Sequence, residues 1–228
     1  MEINNIFTIG FRCNVDEFLI KNLNIRNYSS PFSYMLIDLE TVIENIKNKF
    51  LNYVNINDIE QIKLPNDYKW YGDKLWGNEF FYNKKYPINV NDCIYDLDRY
   101  CIWPHHDLHD NNVIKSINTR CEHLLNTLEN KSSSLLLFYI EKLQVSFKDT
   151  YFDISLLDGI DCNFLILIPI LNFNKEPFIF YDNNKIKIIY FNASEESWRA
   201  DINHCTDDWD KVKDIINSSY KFNIEYRI

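Results

Sequence analysis

The chain has 228 residues, 46% hydrophobic and 25% charged, which suits a globular protein with a sizeable core. A net charge of −9 argues against general nucleic-acid binding and against an anionic membrane surface as partner. The longest apolar run, "FLILIPIL" at 164–171, is too short to cross a bilayer, and residues 1–20 carry no basic start or long apolar stretch resembling a secretory signal.

In chain order, "INNIFTI" at 3–9 predicts a first strand, broken by Gly10. A helix follows from about Asn14, with Val15, Phe18, Leu19 and Leu23 on one face. "YSSPF" at 28–32 is a turn leading into an apolar docking segment. The 3.6-residue period of "LIDLETVIENIKNKFLNYV" predicts a helix over 36–54. Residues 55–104 are aromatic, Asn-rich and too apolar for a linker, so a packed excursion with short strands is expected there. "NNVIKSINTRCEHLLNTLEN" predicts a helix over 111–130, and "SSSLLLFYIEK" a buried strand over 132–142. A short helix within 151–162 and a second buried strand, "NFLILIPIL", follow. "PFIFYD" and "KIKIIYFNA" flank an Asn pair at 183–184 as a hairpin. "DDWDKVKDIINSSY" at 207–220 is a closing helix with Asp at its N-terminus, and "FNIEYRI" a last strand. Continuous apolar strands alternating with helices call for a sheet covered on both faces. The expected fold is a single three-layer α/β domain over 1–228, with a mixed, mainly buried central sheet flanked by helices and the aromatic excursion at about 55–104. The alternation leans towards a doubly wound topology.

The six cysteines, at 13, 93, 101, 121, 162 and 205, form no CxxC pair, so zinc-ribbon and redox motifs find no support. In a reducing compartment most of them are expected to be buried as small apolar residues. The expected location is the cytoplasm. The bias towards Asn, Ile, Lys and Tyr suggests an AT-rich genome, bacterial or that of a large DNA virus, the latter placing the chain in host cytoplasm or virion.

Cys13 differs from the rest in its setting. A strand, Gly10 and a helix start put it at the carboxyl edge of the sheet, where open α/β sheets bind ligands. Unpaired N–H groups at a helix N-terminus favour a thiolate over a thiol and are suited to holding an oxyanion. Arg12 adds a positive charge beside it. The plain alternative is a small apolar residue packed beneath the helix, and only a nearby base distinguishes the two. "WPHHDLHD" at 103–110 holds three of the five histidines and two aspartates. A Cys–His enzyme needs an imidazole within reach of the sulfur and a further group to fix its tautomer. His106 with Asp107, or His109 with Asp110, supplies such a set, although neighbours in sequence rarely bond each other well and the orienting group can lie elsewhere. Asp110 or Asn111 is the expected N-cap of the following helix. His105, His106, His109 and Asp107 are also metal-ligand types, and a solvated polar loop is the bland alternative. His123 reads as structural, and His204 as a second candidate base or a cap contact.

In "YKWYGDKLWGNEFFY" at 68–82, Trp70 and Trp76 are suited to stacking on a sugar or adenine; packing a long connection is the alternative role. Arg199, in an acidic segment after the hairpin, is a candidate clamp for a carboxylate or phosphate. No P-loop, GxGxxG, GxSxG or HExxH occurs.

The pieces "TIGFRC" (8–13), "SPFSYM" (30–35), "PHHD" (104–107), "NTRCEHLLNTL" (118–128) and "SLLLFYIEK" (134–142) fall in an order that resembles a family described as papain-like cysteine peptidases, once listed as a domain of unknown function. The resemblance covers about the first 145 residues. It implies Cys13 as nucleophile, a histidine of the "HHD" segment as base, and a "PFDW" segment that here reads "PFSY", so that Ser33 stands in place of the family acid. Arg12 stands where a small polar amide is the rule, and the strand ends in Glu141–Lys142 rather than Arg. Motif order is also similar to that of Cys/His acetyltransferases of capsule biosynthesis, which implies coenzyme A as an acyl donor and a role in surface polysaccharide. Three functions follow as expectations. The first is a thiol-dependent acyl-transfer enzyme acting on a peptide, glycan or small molecule, with Cys13, His106, Asp107 and His109 as catalytic candidates and Arg12, Ser33, Trp70, Trp76 and Arg199 as substrate contacts. The second is a degenerate member kept as a glycan- or protein-binding module. The third is a metal-dependent hydrolase using the cluster from His105 to Asp110.

Overall fold

The computed structural model describes residues 1–10, 23–25, 29–33, 35–63, 79–88, 99–104, 106–129, 133–139, 153–171, 175–193 and 208–224. Strands β1 (Glu2–Ile3), β2 (Asn5–Gly10), β3 (Leu36–Ile37), β4 (Ile59–Lys63), β5 (Glu79–Asn83), β6 (Cys101–Trp103), β7 (Ser134–Tyr139), β8 (Asn163–Leu171), β9 (Phe178–Asp182), β10 (Ile186–Ala193) and β11 (Lys221–Phe222) are joined by helices α1 (Leu39–Lys47), α2 (Asn111–Glu129) and α3 (Trp209–Ser219). Five strands form the central sheet in the order β2-β7-β8-β10-β9, parallel except for the antiparallel edge strand β9.

Alternation of side chains along these strands divides the core in two. Phe7, Ile9, Leu136, Phe138, Ile166, Ile168, Ile188 and Tyr190 face α1, α2 and the excursion. Ile6, Leu135, Leu137, Leu165, Leu167, Ile189 and Phe191 face Trp209, Val212 and Ile216 of α3. Both faces are covered, so the buried residues of these strands are mostly apolar, with Thr8, Ser134 and Lys187 as exceptions, and β8 reads as an unbroken apolar run. Pro169, which a central strand rarely accepts, falls two residues past Leu167, the last partner of β7 on that side. The α/β class with a mixed, covered central sheet is thus as expected. The strand order is not doubly wound: among the described residues the parallel strands β2, β7, β8 and β10 follow chain order across the sheet, and only the antiparallel edge strand β9, which turns back to β10, falls outside it. Alternation of strands and helices carries no information about that order.

A second sheet, β3-β6-β5-β4, is antiparallel throughout and forms the excursion. Trp103, at the end of β6, is fully buried and lies 5.7 Å from the Tyr53 ring. β1 and β11 pair in parallel beside the main sheet.

The expected helix over 36–54 is shorter than its periodicity. Leu36 and Ile37 pair with Ile102 and Cys101 as strand, and Asp38 caps α1 by accepting from the Thr41 N–H at 2.7 Å. At the other end, the Phe50 N–H donates to Asn45 O at 2.8 Å and the Lys49 N–H to Ile46 O at 3.0 Å, the paired closure of a Schellman turn. Phe50 and Tyr53 return to the core through this turn, so their spacing mimics a helix that has already ended. The turn needs a left-handed residue where Lys49 stands, at φ 51°. Glycine has no Cβ clash there, and the exposed Lys49–Glu129 pair contributes little. Lys49→Gly is expected to raise unfolding stability by about 0.5–1 kcal/mol, the strain relieved less the backbone entropy added to the unfolded chain. A urea titration showing a loss instead would mean that the left-handed turn costs nothing.

Glu44 joins α1 to the excursion by accepting from Arg99 Nη2 at 2.7 Å, from the Tyr86 hydroxyl at 3.1 Å and from Lys85. Burial pushes its carboxyl up, but the hydrogen bonds from Lys85, Arg99 and Tyr86 outweigh that and hold it below the usual carboxylate range. Its contribution is present above the unfolded carboxylate value and is lost as pH falls through the lowered folded value.

Candidate active site

The candidate site is built on β2, which among the described residues is the end strand of the central sheet. "SSPFS" forms a turn in which Pro31 presets the backbone and the Ser33 N–H donates to Ser30 O at 3.1 Å. Phe32 anchors it, 1% exposed and 5.5 and 5.7 Å from the rings of Phe50 and Tyr53. The Tyr53 hydroxyl donates to the Pro31 carbonyl at 3.2 Å. Three buried hydroxyls then join the turn to the strand. Ser30 Oγ donates to the Thr8 carbonyl at 2.5 Å and accepts from the Phe32 N–H at 3.0 Å. Ser33 Oγ accepts from the Ser30 N–H at 2.9 Å and lies 3.4 Å from Thr8 Oγ1. A buried strand edge needs such donors, because an unpaired carbonyl there costs about 1–3 kcal/mol.

The histidine segment reaches the same turn from the second sheet. Trp103 and Leu108, both fully buried, fix its two ends, and His106 lies between them, half-buried. His106 Nε2 is 3.3 Å from the Ser33 carbonyl oxygen. A carbonyl only accepts, so this bond places the ring proton on Nε2 and makes Nδ1 the acceptor nitrogen of the neutral ring. Ser33 is thereby brought to His106 through its backbone, while its hydroxyl faces Thr8 and Ser30.

The other candidates separate. Asp107, exposed, accepts from the His109 N–H through Oδ1 at 2.9 Å, and so shapes the turn into α2. Asp110 caps α2: its carbonyl accepts from the Ile114 N–H at 3.2 Å and its Oδ1 from the Asn112 N–H at 2.8 Å. The His109 ring lies edge-on to Phe81 at 5.0 Å, with Nε2 3.3 Å from Gln61 Oε1 on β4. His123 faces Phe7, ring to ring at 5.8 Å, inside the core. Among the described residues no three His, Cys, Asp or Glu side chains converge to hold a metal ion. Cys13, Arg12, Trp70, Trp76 and Arg199 lie outside the described residues, as do His105 and His204. β2, which leads to Cys13, ends with Gly10 opposite Tyr139.

Cys101, Cys121 and Cys162 are free and buried. Burial pushes the Cys121 thiol up to about 12 and raises Cys101 and Cys162 as well, so all three are inert as nucleophiles at neutral pH. Ser30 and Thr8 were not legible as site residues. A serine before proline signals a turn, but nothing in the sequence says which strand the turn closes on.

No helix among the described residues is long and apolar enough to cross a membrane. No curated protein and no solved structure matches the chain. A family match covers residues 4–147, more than half of the chain, and includes the end of β2, the 30–33 turn and the His106 segment. The chain belongs to the family described as "Putative papain-like cysteine peptidase (DUF1796)".

Proposed function

We propose that the protein is a thiol-dependent acyl-transfer enzyme in which Cys13 is the nucleophile and His106 the base, acting on a peptide or on an acyl group carried by a glycan or small molecule. The observation that carries this reading is the hydrogen-bonded path from the end of β2 through Ser30 and Ser33 to His106. It joins three segments distant in sequence, all inside the family match, and it leaves Nδ1 as the nitrogen able to take a proton. In the reaction, Nδ1 takes the thiol proton and the thiolate attacks the acyl carbonyl. The tetrahedral oxyanion then collapses to a thioester as the imidazolium returns the proton to the leaving group. Water or an alcohol, deprotonated by the same nitrogen, completes the transfer. Acyl-coenzyme A enters this scheme as one possible acyl donor among esters and amides.

Ser33 in place of the family acid favours a catalytically silent binding module on sequence grounds. The contact to His106 argues the other way, because its acceptor is the backbone carbonyl of Ser33 and no carboxylate at position 33 is needed to make it.

Brief iodoacetamide treatment at pH 6, mapped by peptide mass spectrometry, tests the reading. Cys13 is expected to react at least tenfold faster than Cys93 and Cys205, and Cys101, Cys121 and Cys162 only after unfolding. A Cys13 no faster than Cys93 and Cys205 removes the nucleophile and leaves the binding module as the better account.

A further inference from the structure

We infer that the cavity between the end of α1 and the turn after β5 binds a neutral sugar. It is a site apart from the candidate active site, and nothing in it depends on Cys13 or His106. The cavity holds about 490 Å³, within the roughly 300–1,000 Å³ of small-molecule sites. Four of the ten residues lining it are asparagines, at 45, 48, 52 and 83. Exposed asparagines alone would mean little in a chain this rich in Asn, but Asn83 is only 7% exposed. Its Oδ1 accepts from the Lys85 N–H at 2.9 Å, and its carbonyl accepts from the Tyr86 N–H at 2.9 Å. The bond from Lys85 fixes which end of the amide is oxygen, and the other end, Nδ2, has no partner among the described residues. A donor buried this far is costly to leave unpaired, and an acceptor in the cavity relieves it. Asn45, in the last turn of α1, is committed the opposite way. Its Nδ2 donates to the Thr41 carbonyl at 2.7 Å, which leaves Oδ1 as an acceptor with no partner among the described residues. The Asn48 and Asn52 side chains make no bond among the described residues, and each adds a donor and an acceptor.

The wall thus mixes single donors with single acceptors. A hydroxyl does both through one atom, so the hydroxyls of a sugar ring match this wall better than a carboxylate or an ammonium group does. The charges agree. Glu44 and Asp58 offset Lys84 and Lys85, and the Glu44 carboxylate is already held by Lys85, Arg99 and Tyr86. Leu51, 76% exposed at the rim, adds an apolar contact for the C–H face of the ring. The segment that carries Leu51 and Asn52 holds left-handed backbone at Lys49, Phe50 and Asn52, without glycine, and strain of that kind gathers at ligand sites.

The test is a titration of the 15N-labelled whole chain with glucose, galactose, mannose and N-acetylglucosamine, followed by NMR. At least one of them is expected to shift the Asn83 side-chain amide pair and the backbone signals of residues 45–52, with half-saturation at about 1–10 mM, the range of a small ligand held by a few hydrogen bonds. Asn83→Asp keeps the acceptor for the Lys85 N–H and removes only the donor, and it is expected to weaken that sugar about tenfold or more. If Asn83→Asp fails to fold, Asn48→Ala removes a side chain that makes no bond among the described residues, and it is expected to weaken the same sugar about threefold or more. If none of the four sugars moves these signals, or if inorganic phosphate moves them where no sugar does, the inference is overturned. A folded Asn83→Asp or Asn48→Ala protein that binds the sugar as tightly as wild type overturns it as well. Alkylation of Cys13 without sugar bears on the proposed reaction and not on this site.

Discussion

Replacing His106 with alanine is expected to slow alkylation of Cys13 at pH 6 by about tenfold to thirtyfold and to lower acyl transfer by about a hundredfold or more. The first figure follows from two opposed effects. An ordinary thiol near 8.5 is about 0.3% thiolate at pH 6, so a thiol ionised by an adjacent imidazole gains roughly 300-fold in reactive form. A stabilised thiolate is also a weaker nucleophile, and that returns about a factor of ten or more. The second figure is the usual worth of general acid–base catalysis, to which the same nitrogen contributes twice, taking the thiol proton and giving it to the leaving group. His109→Ala separates the two histidines that the sequence offers as bases. Its ring is spent on Phe81 and Gln61, on the face of the second sheet, so Cys13 reactivity is expected to stay within twofold of wild type. Alkylation that survives His106→Ala and falls with His109→Ala would move the base to the other end of the loop. Survival in both would dismiss a Cys–His pair altogether.

Much of the framework is written in the chain because burial on two faces leaves a simple mark. β7 and β8 are visible as uninterrupted apolar runs, the β9–β10 hairpin as two apolar segments around an Asn pair, and α2 and α3 as helical periods, α3 with an acidic start. The error at 36–54 has a physical cause. Val42, Ile46, Phe50 and Tyr53 all enter one core, and hydrophobic period reports where side chains go rather than how the backbone takes them there. Left-handed residues at Lys49, Phe50 and Asn52 carry no glycine to announce the turn. The site was legible in part. His106 stands out as an imidazole in a polar loop, but its choice over His109 depends on Ser33 lying opposite, and that contact spans 73 residues. Asp107 is attractive by adjacency, yet its carboxylate reaches the His109 N–H two residues on, the ordinary habit of Asp in a turn. The acceptor opposite His106 is a main-chain carbonyl, which every residue possesses and no sequence pattern can mark.

The family match ends at residue 147, before β8, β9, β10 and α3. The matched segment therefore holds β2 and β7 but not the other three strands of the central sheet. All the hydrogen bonds that join Thr8, Ser30, Ser33 and His106 lie inside it. The residues beyond it supply most of the second core cluster, through Leu165, Leu167, Ile189, Phe191 and α3. The candidate site and much of the scaffold that steadies it thus come from different parts of the chain, and loss of the C-terminal part would strip Leu165, Leu167, Ile189, Phe191 and α3 from the cluster that Ile6, Leu135 and Leu137 share with them.

The largest effect on stability from a single polar side chain is expected at Asp38, which ties α1 to the second sheet. Its carboxylate accepts from the Thr41 N–H at 2.7 Å, the Thr41 hydroxyl at 2.5 Å and the Tyr100 N–H at 2.7 Å, with Arg99 Nε at 3.3 Å. One group therefore caps α1, holds the residue before β6 and neutralises the arginine that also binds Glu44. The cap alone is worth about 1 kcal/mol, and hydrogen bonds to a charged group contribute about 1.5–3 kcal/mol each when counted singly. They are not additive, and Arg99 keeps Glu44 after the change, so Asp38→Ala is expected to cost about 3 kcal/mol. For a chain of this size that is a fall of roughly 6–12 °C in Tm. Asp38→Asn keeps an oxygen for the Thr41 N–H and loses mainly the charge, and it is expected to cost about half as much. Because only 12% of the Asp38 side chain is exposed, the deficit is expected to persist in 0.5 M salt, where a surface pair would be screened. β6 leads through Trp103 directly to His106, so the same substitution is expected to weaken Cys13 alkylation at temperatures where the protein is still folded. A deficit below about 1 kcal/mol would mean that the cap is the whole of Asp38's role and that its bonds to Arg99 and Tyr100 add nothing to the hold between α1 and the second sheet.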